Sequence, residues 1–108
     1  MANAYKVLGQ TTDAATGTAL YTCPSSTETV ISTLVVCNRA SSGKTFRIYL
    51  RPNDETLANK HYLAYDSTVN ANDTLTLTLG ITMDAADKLY VYGADANISF
   101  SAFGTEIT

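Results

Sequence analysis

LYTCPSSTETVISTLVVCN, Leu20 to Asn38, is the stretch that decides the fold. A short strand, Ala19 to Cys23, runs up to Pro24, which ends it because proline has no N–H to give to a ladder. Ser25 to Thr27 makes a polar corner. Thr29 to Cys37 then forms the longest β-branched and apolar run of the chain, a composition that fits a pleated, half-buried surface. It predicts a central strand. On strict alternation Val30, Leu34 and Val36 share one face and Ile31, Val35 and Cys37 the other, with Ser32 and Thr33 interrupting them. A strand apolar on both sides is usually covered on both sides. Two covers for the second face are open: the loops at Gly9–Gly17 and Asn53–Lys60, or another subunit.

Outward from that strand the pattern remains β. Tyr5–Leu8 reads as a short edge strand and Gly9–Gly17 as a loop of small residues. Thr45–Arg51 alternates, with Phe46, Ile48 and Leu50 facing one way and Arg47, Tyr49 and Arg51 the other. Asn53–Lys60 holds at most one helical turn, with Asn53 or Asp54 as its cap. His61–Asp66 is a modest strand. Thr74–Ile81 reads as one strand with Leu75, Leu77, Leu79 and Ile81 inward. Asp84–Asp87 predicts a type I turn. Leu89–Tyr92 turns Leu89 and Val91 inward and Tyr90 and Tyr92 outward. Ile98–Ile107 closes the chain, with Ile98, Phe100 and Ala102 toward the core and Gly104 as the mark of a bulge. About eight strands, with turn signals every 8 to 12 residues or so, predict an all-β fold: a single antiparallel β-sandwich domain over residues 1–108, jelly-roll or Ig-like.

Composition removes several function classes. The 108 residues carry a net charge of −3 and only 16% charged residues. With no Lys/Arg block, the chain lacks the positive surface that nucleic acid binding requires. A surface of Thr, Ser, Asn and Ala has little repulsion against copies of itself. MANAYKVLGQ lacks a basic segment followed by an apolar core, so no signal peptide is expected. No apolar stretch approaches the roughly 18 residues of a membrane span. Cys23 and Cys37 read as reduced, small buried hydrophobes; a disulfide is the alternative, though a simple hairpin would not bring them opposite each other, and their spacing matches no zinc signature.

Candidates for chemistry are few. His61 is the lone histidine; no nucleophile elbow accompanies it, and a surface or edge-strand position is expected. Asp84, Asp87 and Asp95 lie in or near turns, where aspartate is favoured for its own backbone bonds, and no EF-hand spacing links them. No catalytic residue, metal site or cofactor is expected. Arg47, Tyr49, Arg51, Tyr90 and Tyr92 form the candidate protein interface, since outward Tyr and Arg offer large area with a polar tip. Cross-strand pairs on a wet sheet would use the same residues, and tyrosine faces also stack on sugar rings.

YKVLGQ (Tyr5–Gln10), LYTCPSSTETVISTLVVCN, FRIYLRP (Phe46–Pro52), LANKHYLAYD (Leu57–Asp66), NDTLTLTLGITM (Asn72–Met83) and NISFSAFGTEIT (Asn97–Thr108) resemble small structural proteins of tailed bacteriophages, particularly those of marine and cyanobacterial hosts. That family often has Val where this chain has Cys23. The motifs are soft ones of a β fold and bring no functional residue with them. The resemblance implies a non-enzymatic virion component in multiple copies, displayed on the capsid as a decoration or cement protein or on the tail or fibre. Its partners would be copies of itself and other virion proteins, with no nucleic acid and no membrane. Assembly would take place in the host cytoplasm. The alternative is a carbohydrate-binding sandwich module that recognises host-surface glycan.

Overall fold

The computed structural model describes residues 2–108. Nine strands build two antiparallel sheets: β1 (Asn3–Thr12), β2 (Thr18–Thr22), β3 (Glu28–Asn38), β4 (Lys44–Arg51), β5 (Tyr62–Val69), β6 (Thr74–Leu77), β7 (Ile81–Met83), β8 (Lys88–Gly93) and β9 (Ile98–Ile107). Sheet A runs β1-β9-β3-β6, with β7 also on β3; sheet B runs β2-β8-β4-β5. The β-sandwich follows the expected class, and β3 is the central strand of sheet A. The opening strand is an edge strand, but ten residues long instead of four, because its ladder on β9 continues to Thr12.

The inward residues of both sheets make one buried core, with Ile31, Leu34, Val36, Phe100 and Ala102 from sheet A and Phe46, Ile48, Leu89 and Val91 from sheet B. Phe46 and Phe100 meet edge to face at 6.3 Å across the two sheets, the geometry that the ring quadrupole favours. Ile98, Phe100 and Ala102 point inward as the alternation predicts.

One bulge rewrites β3. Ile31 pairs with Gly104 and Thr33 with Phe103, so Ser32 is an extra residue on β3. The expected bulge at Gly104 is there, with the inserted residue on the partner strand. Because alternation has period two, one insertion changes the phase: Thr29 and Ile31 face the core before it, Leu34 and Val36 after it. The predicted faces are thus corrected. Ile31 joins Leu34 and Val36 inside, and Val30 joins Val35 and Cys37 outside. Gly104 is required here, since a Cβ would stand 2.0 Å from the Val30 carbonyl oxygen.

The same bulge divides the strand expected at Thr74–Ile81. β6 pairs with Leu34–Cys37 and β7 with Thr29–Ile31. The break falls opposite the inserted residue, with Gly80 at φ +62°. Leu79 is exposed instead of inward. Asp84–Asp87 does turn, but Ala86 has φ +72°, the sign that type II requires at that position and type I does not. Asn53–Lys60 holds two single 3-10 turns, Pro52–Asp54 and Asn59–His61, neither with a side-chain cap. At the chain ends the Ala2 and Thr108 backbones exchange two hydrogen bonds of 2.9 Å.

Candidate interaction face

The outer face of sheet B carries every candidate interface residue. β4 and β8 pair Arg47 with Tyr92 and Tyr49 with Tyr90, and β5 brings Tyr62 opposite Tyr49. Opposed residues in an antiparallel pair point to the same side, so the rings meet. Tyr49 stacks on Tyr90 at 5.2 Å and 9°, and meets Tyr62 edge-on at 5.4 Å. Tyr62 continues to Tyr65 at 4.8 Å. The Arg47 guanidinium lies 4.2 Å from the Tyr65 ring centre and 4.8 Å from that of Tyr92; Arg51 lies 4.7 Å from Tyr90. Five of the seven tyrosines thus join two arginines in one continuous array.

Tyr49 faces outward yet is buried. Its neighbours Tyr62 and Tyr90 flank it, and its hydroxyl lies under the loop at Gly17, where a Cβ would come within 2.7 Å of it. Burial, and after it the neighbouring Tyr62, push its pKa up. Tyr62 and Tyr65 extend the array, and reading β5 as a modest strand left both out; their cross-strand register with β4 would have found Tyr62. Arg47 is held by Asp66 through Nε at 2.6 Å, which raises the guanidinium pKa further. Asp66 reaches it from a backbone position at φ +50°.

The loop beside this face depends on Asp13, a residue that composition alone does not single out. Asp13 is 3% exposed, and its carboxylate accepts five bonds: from Thr16 N–H (3.1 Å), Thr16 Oγ1 (2.7 Å), Gly17 N–H (3.0 Å), Thr18 Oγ1 (2.6 Å) and Gly93 N–H (3.1 Å). Burial alone would raise its pKa, but the Thr18 and Thr16 hydroxyls with the backbone donors of Gly93 and Gly17 bring it below the ordinary carboxylate value. The signal in the sequence is an aspartate followed at three to five residues by Thr16, Gly17 and Thr18, the pattern of a side chain that caps its own turn.

His61 is buried rather than at the surface. Its Nδ1 accepts the Ala58 N–H at 2.9 Å, which leaves Nε2 to donate to Glu55 Oε1 at 3.2 Å. The histidine clasps the Pro52–His61 connection, and its hydrogen bond lowers the Glu55 pKa. No serine, threonine or cysteine nucleophile is among the residues that bond it. Cys23 is buried, with Sγ 3.2 Å from Thr29 Oγ1; Cys37 is only partly buried, against expectation, because it follows the bulge on the outer side. Both thiols are free. Among the described residues no group of three or more His, Cys, Asp or Glu is gathered for a metal ion, and no helix is long and apolar enough to cross a membrane. The outer face of sheet B offers aromatic area, fixed cations and a cleft of about 380 Å³ lined by Asn59, Tyr62 and Tyr65.

No family model matches the sequence, nor does any curated protein. Solved structures do show likeness. A chain from the structure of the infectious bursal disease virus Gx strain is similar over 97% of this chain, with a TM-score of 0.54 and 15% identity. This chain spans 31% of that one's length. Two structures of a pentameric capsid protein isolated from metagenomic phage sequences are similar over 95% of it at 16% and 17% identity, and this chain covers 63% and 67% of theirs. Their TM-scores are 0.42 and 0.34. The first likeness shows a shared fold.

Proposed function

We propose that this chain is a non-enzymatic structural component of a tailed-phage virion, carried in multiple copies and folded as one unit over residues 1–108. The observation behind the reading is the sandwich itself, which follows a chain from a virus structure over 97% of its length. The resemblance of its motifs to tailed-phage structural proteins supports it. The chain sits on the capsid as a decoration or cement protein, or on the tail or fibre. Arg47, Arg51, Tyr90 and Tyr92 contact a neighbouring virion protein, with Tyr62 and Tyr65 extending that contact and the buried Tyr49 holding the rings in place from beneath. Mass spectrometry of purified particles tests the reading: the chain is expected at many copies per particle, and its absence overturns the role. In particles assembled with Arg47→Ala/Tyr92→Ala, its copy number is expected to fall.

A second reading is favoured by the Asn59, Tyr62 and Tyr65 cleft, which pairs ring faces with an amide as sugar recognition does. Here the chain binds host-surface glycan. A glycan array with wild type, Tyr65→Ala and the Tyr90→Ala/Tyr92→Ala pair tests it, and silence of the wild type across the array removes it.

A further inference from the structure

Sheet A presents an outer face of different chemistry. Cross-strand register puts Tyr5 and Val7 of β1, Phe103 and Ile107 of β9, and Val30 and Val35 of β3 on this side. Tyr5 is 80% and Val7 52% exposed. Threonines at 33, 76, 82 and 105 fill the positions between them. Among the described residues the outward positions of this sheet hold one charge, Glu28 at its end, although the chain has seven Lys and Arg and ten Asp and Glu. Neither loop that was available to cover β3 lies here. The loop after β1 is tied to Gly93 and lies by Tyr49 of sheet B, and the Pro52–His61 connection packs on β4 and β8.

The geometry points to a second copy of this chain as the occupant of that face. This rests on the proposed multi-copy role and names the surface that would serve it. In a two-fold contact each patch meets itself, so a charge near the axis would lie beside its own copy, a juxtaposition that costs several kcal/mol. A Thr/Val/Phe patch free of internal charge meets that condition. The outer face of sheet B, with Arg47, Arg51 and Lys88, does not. Size fits as well: strands of ten residues span about 33 Å and four strands about 19 Å. The face is thus on the order of 600 Å² in plan, near the roughly 800 Å² per partner of a standard interface. Its side-chain relief adds to the plan area.

Sedimentation velocity and mass photometry of the full chain, from nanomolar to high micromolar, test this. A concentration-dependent oligomer is expected. Val7→Lys/Thr105→Lys should weaken it about a hundredfold, while Tyr65→Lys, on the other sheet, should leave it unchanged. Tyr5→Glu, at a site too exposed to disturb folding, should weaken it in the same direction, and circular dichroism checks that each variant is folded. A chain that stays monomeric throughout overturns the inference, as does an oligomer that Tyr65→Lys weakens and the sheet A variants leave intact. Particles that contain the chain while the purified chain stays monomeric remove this contact and keep the virion role. Particles without it remove the role, while the self-contact stands or falls on sedimentation.

Discussion

Asp13 is the residue on which the loop beside the aromatic array turns. Five donors converge on one carboxylate, and they favour its charged form. The folded pKa lies below the unfolded one. Its stabilisation is therefore complete above the ordinary carboxylate pKa of about 3.9 and is lost as pH falls through the lower, folded value. Asp13→Asn replaces an acceptor with an NH₂ that faces donors, so at neutral pH it should cost about 1–3 kcal/mol in denaturant unfolding. Below pH of roughly 4 the gap to wild type should narrow, because only wild type then loses a charge-dependent contribution. Asp13 leaves a local signal in Thr16, Gly17 and Thr18, but nothing in the local sequence pattern predicts the burial of His61; it follows from Glu55 and Ala58, which the connection brings back onto the ring.

At the scale of elements, the sequence is legible wherever period two runs unbroken. β9 keeps its alternation from Ile98 to Ala102, and its span is read correctly from end to end. β4 shows Phe46, Ile48 and Arg47 on their true sides. Legibility fails at the bulge, because Ser32 looks like one more polar residue in a run of β-formers. The same insertion, seen from the neighbouring strand, separates β6 from β7 and leaves Leu79 outside. Deleting Ser32 restores strict alternation and sends either Thr29 and Ile31 or Leu34 and Val36 out of the core. The deletion should abolish cooperative unfolding by calorimetry, whereas Ser32→Ala, which keeps the backbone count and loses only the bond to the Phe103 carbonyl, should cost about 1 kcal/mol or less. The aromatic array was legible in part: alternation gave Arg47, Tyr90 and Tyr92 their outward side, but only pairing across strands brings in Tyr62 and buries Tyr49.

For the whole molecule, the two sheets divide the surface into faces with different physics. Cations stacked on aromatic rings line sheet B, and hydroxyls, aliphatic groups and the Tyr5 and Phe103 rings line sheet A. Association through sheet A should be nearly indifferent to added sodium chloride, since salt acts on charges and there is one at the rim. Contacts through Arg47 and Arg51 should weaken as salt rises. Sedimentation at low and high ionic strength separates the two: an oligomer dispersed by salt would belong to sheet B. The fold class was legible at this scale from strand count and turn spacing. The bareness of one face was not, because it depends on where two loops come to rest.

The pair of hydrogen bonds between the Ala2 and Thr108 backbones makes the ends of β1 and β9 immediate neighbours. A linker of a few residues would close the backbone into a ring without disturbing either strand. A circular permutant opened in the Asp84–Asp87 turn should keep both sheets and the core. The same geometry means that polypeptides fused to the two ends leave side by side from one corner, so a cargo on either end would stand beside the same copy's other end.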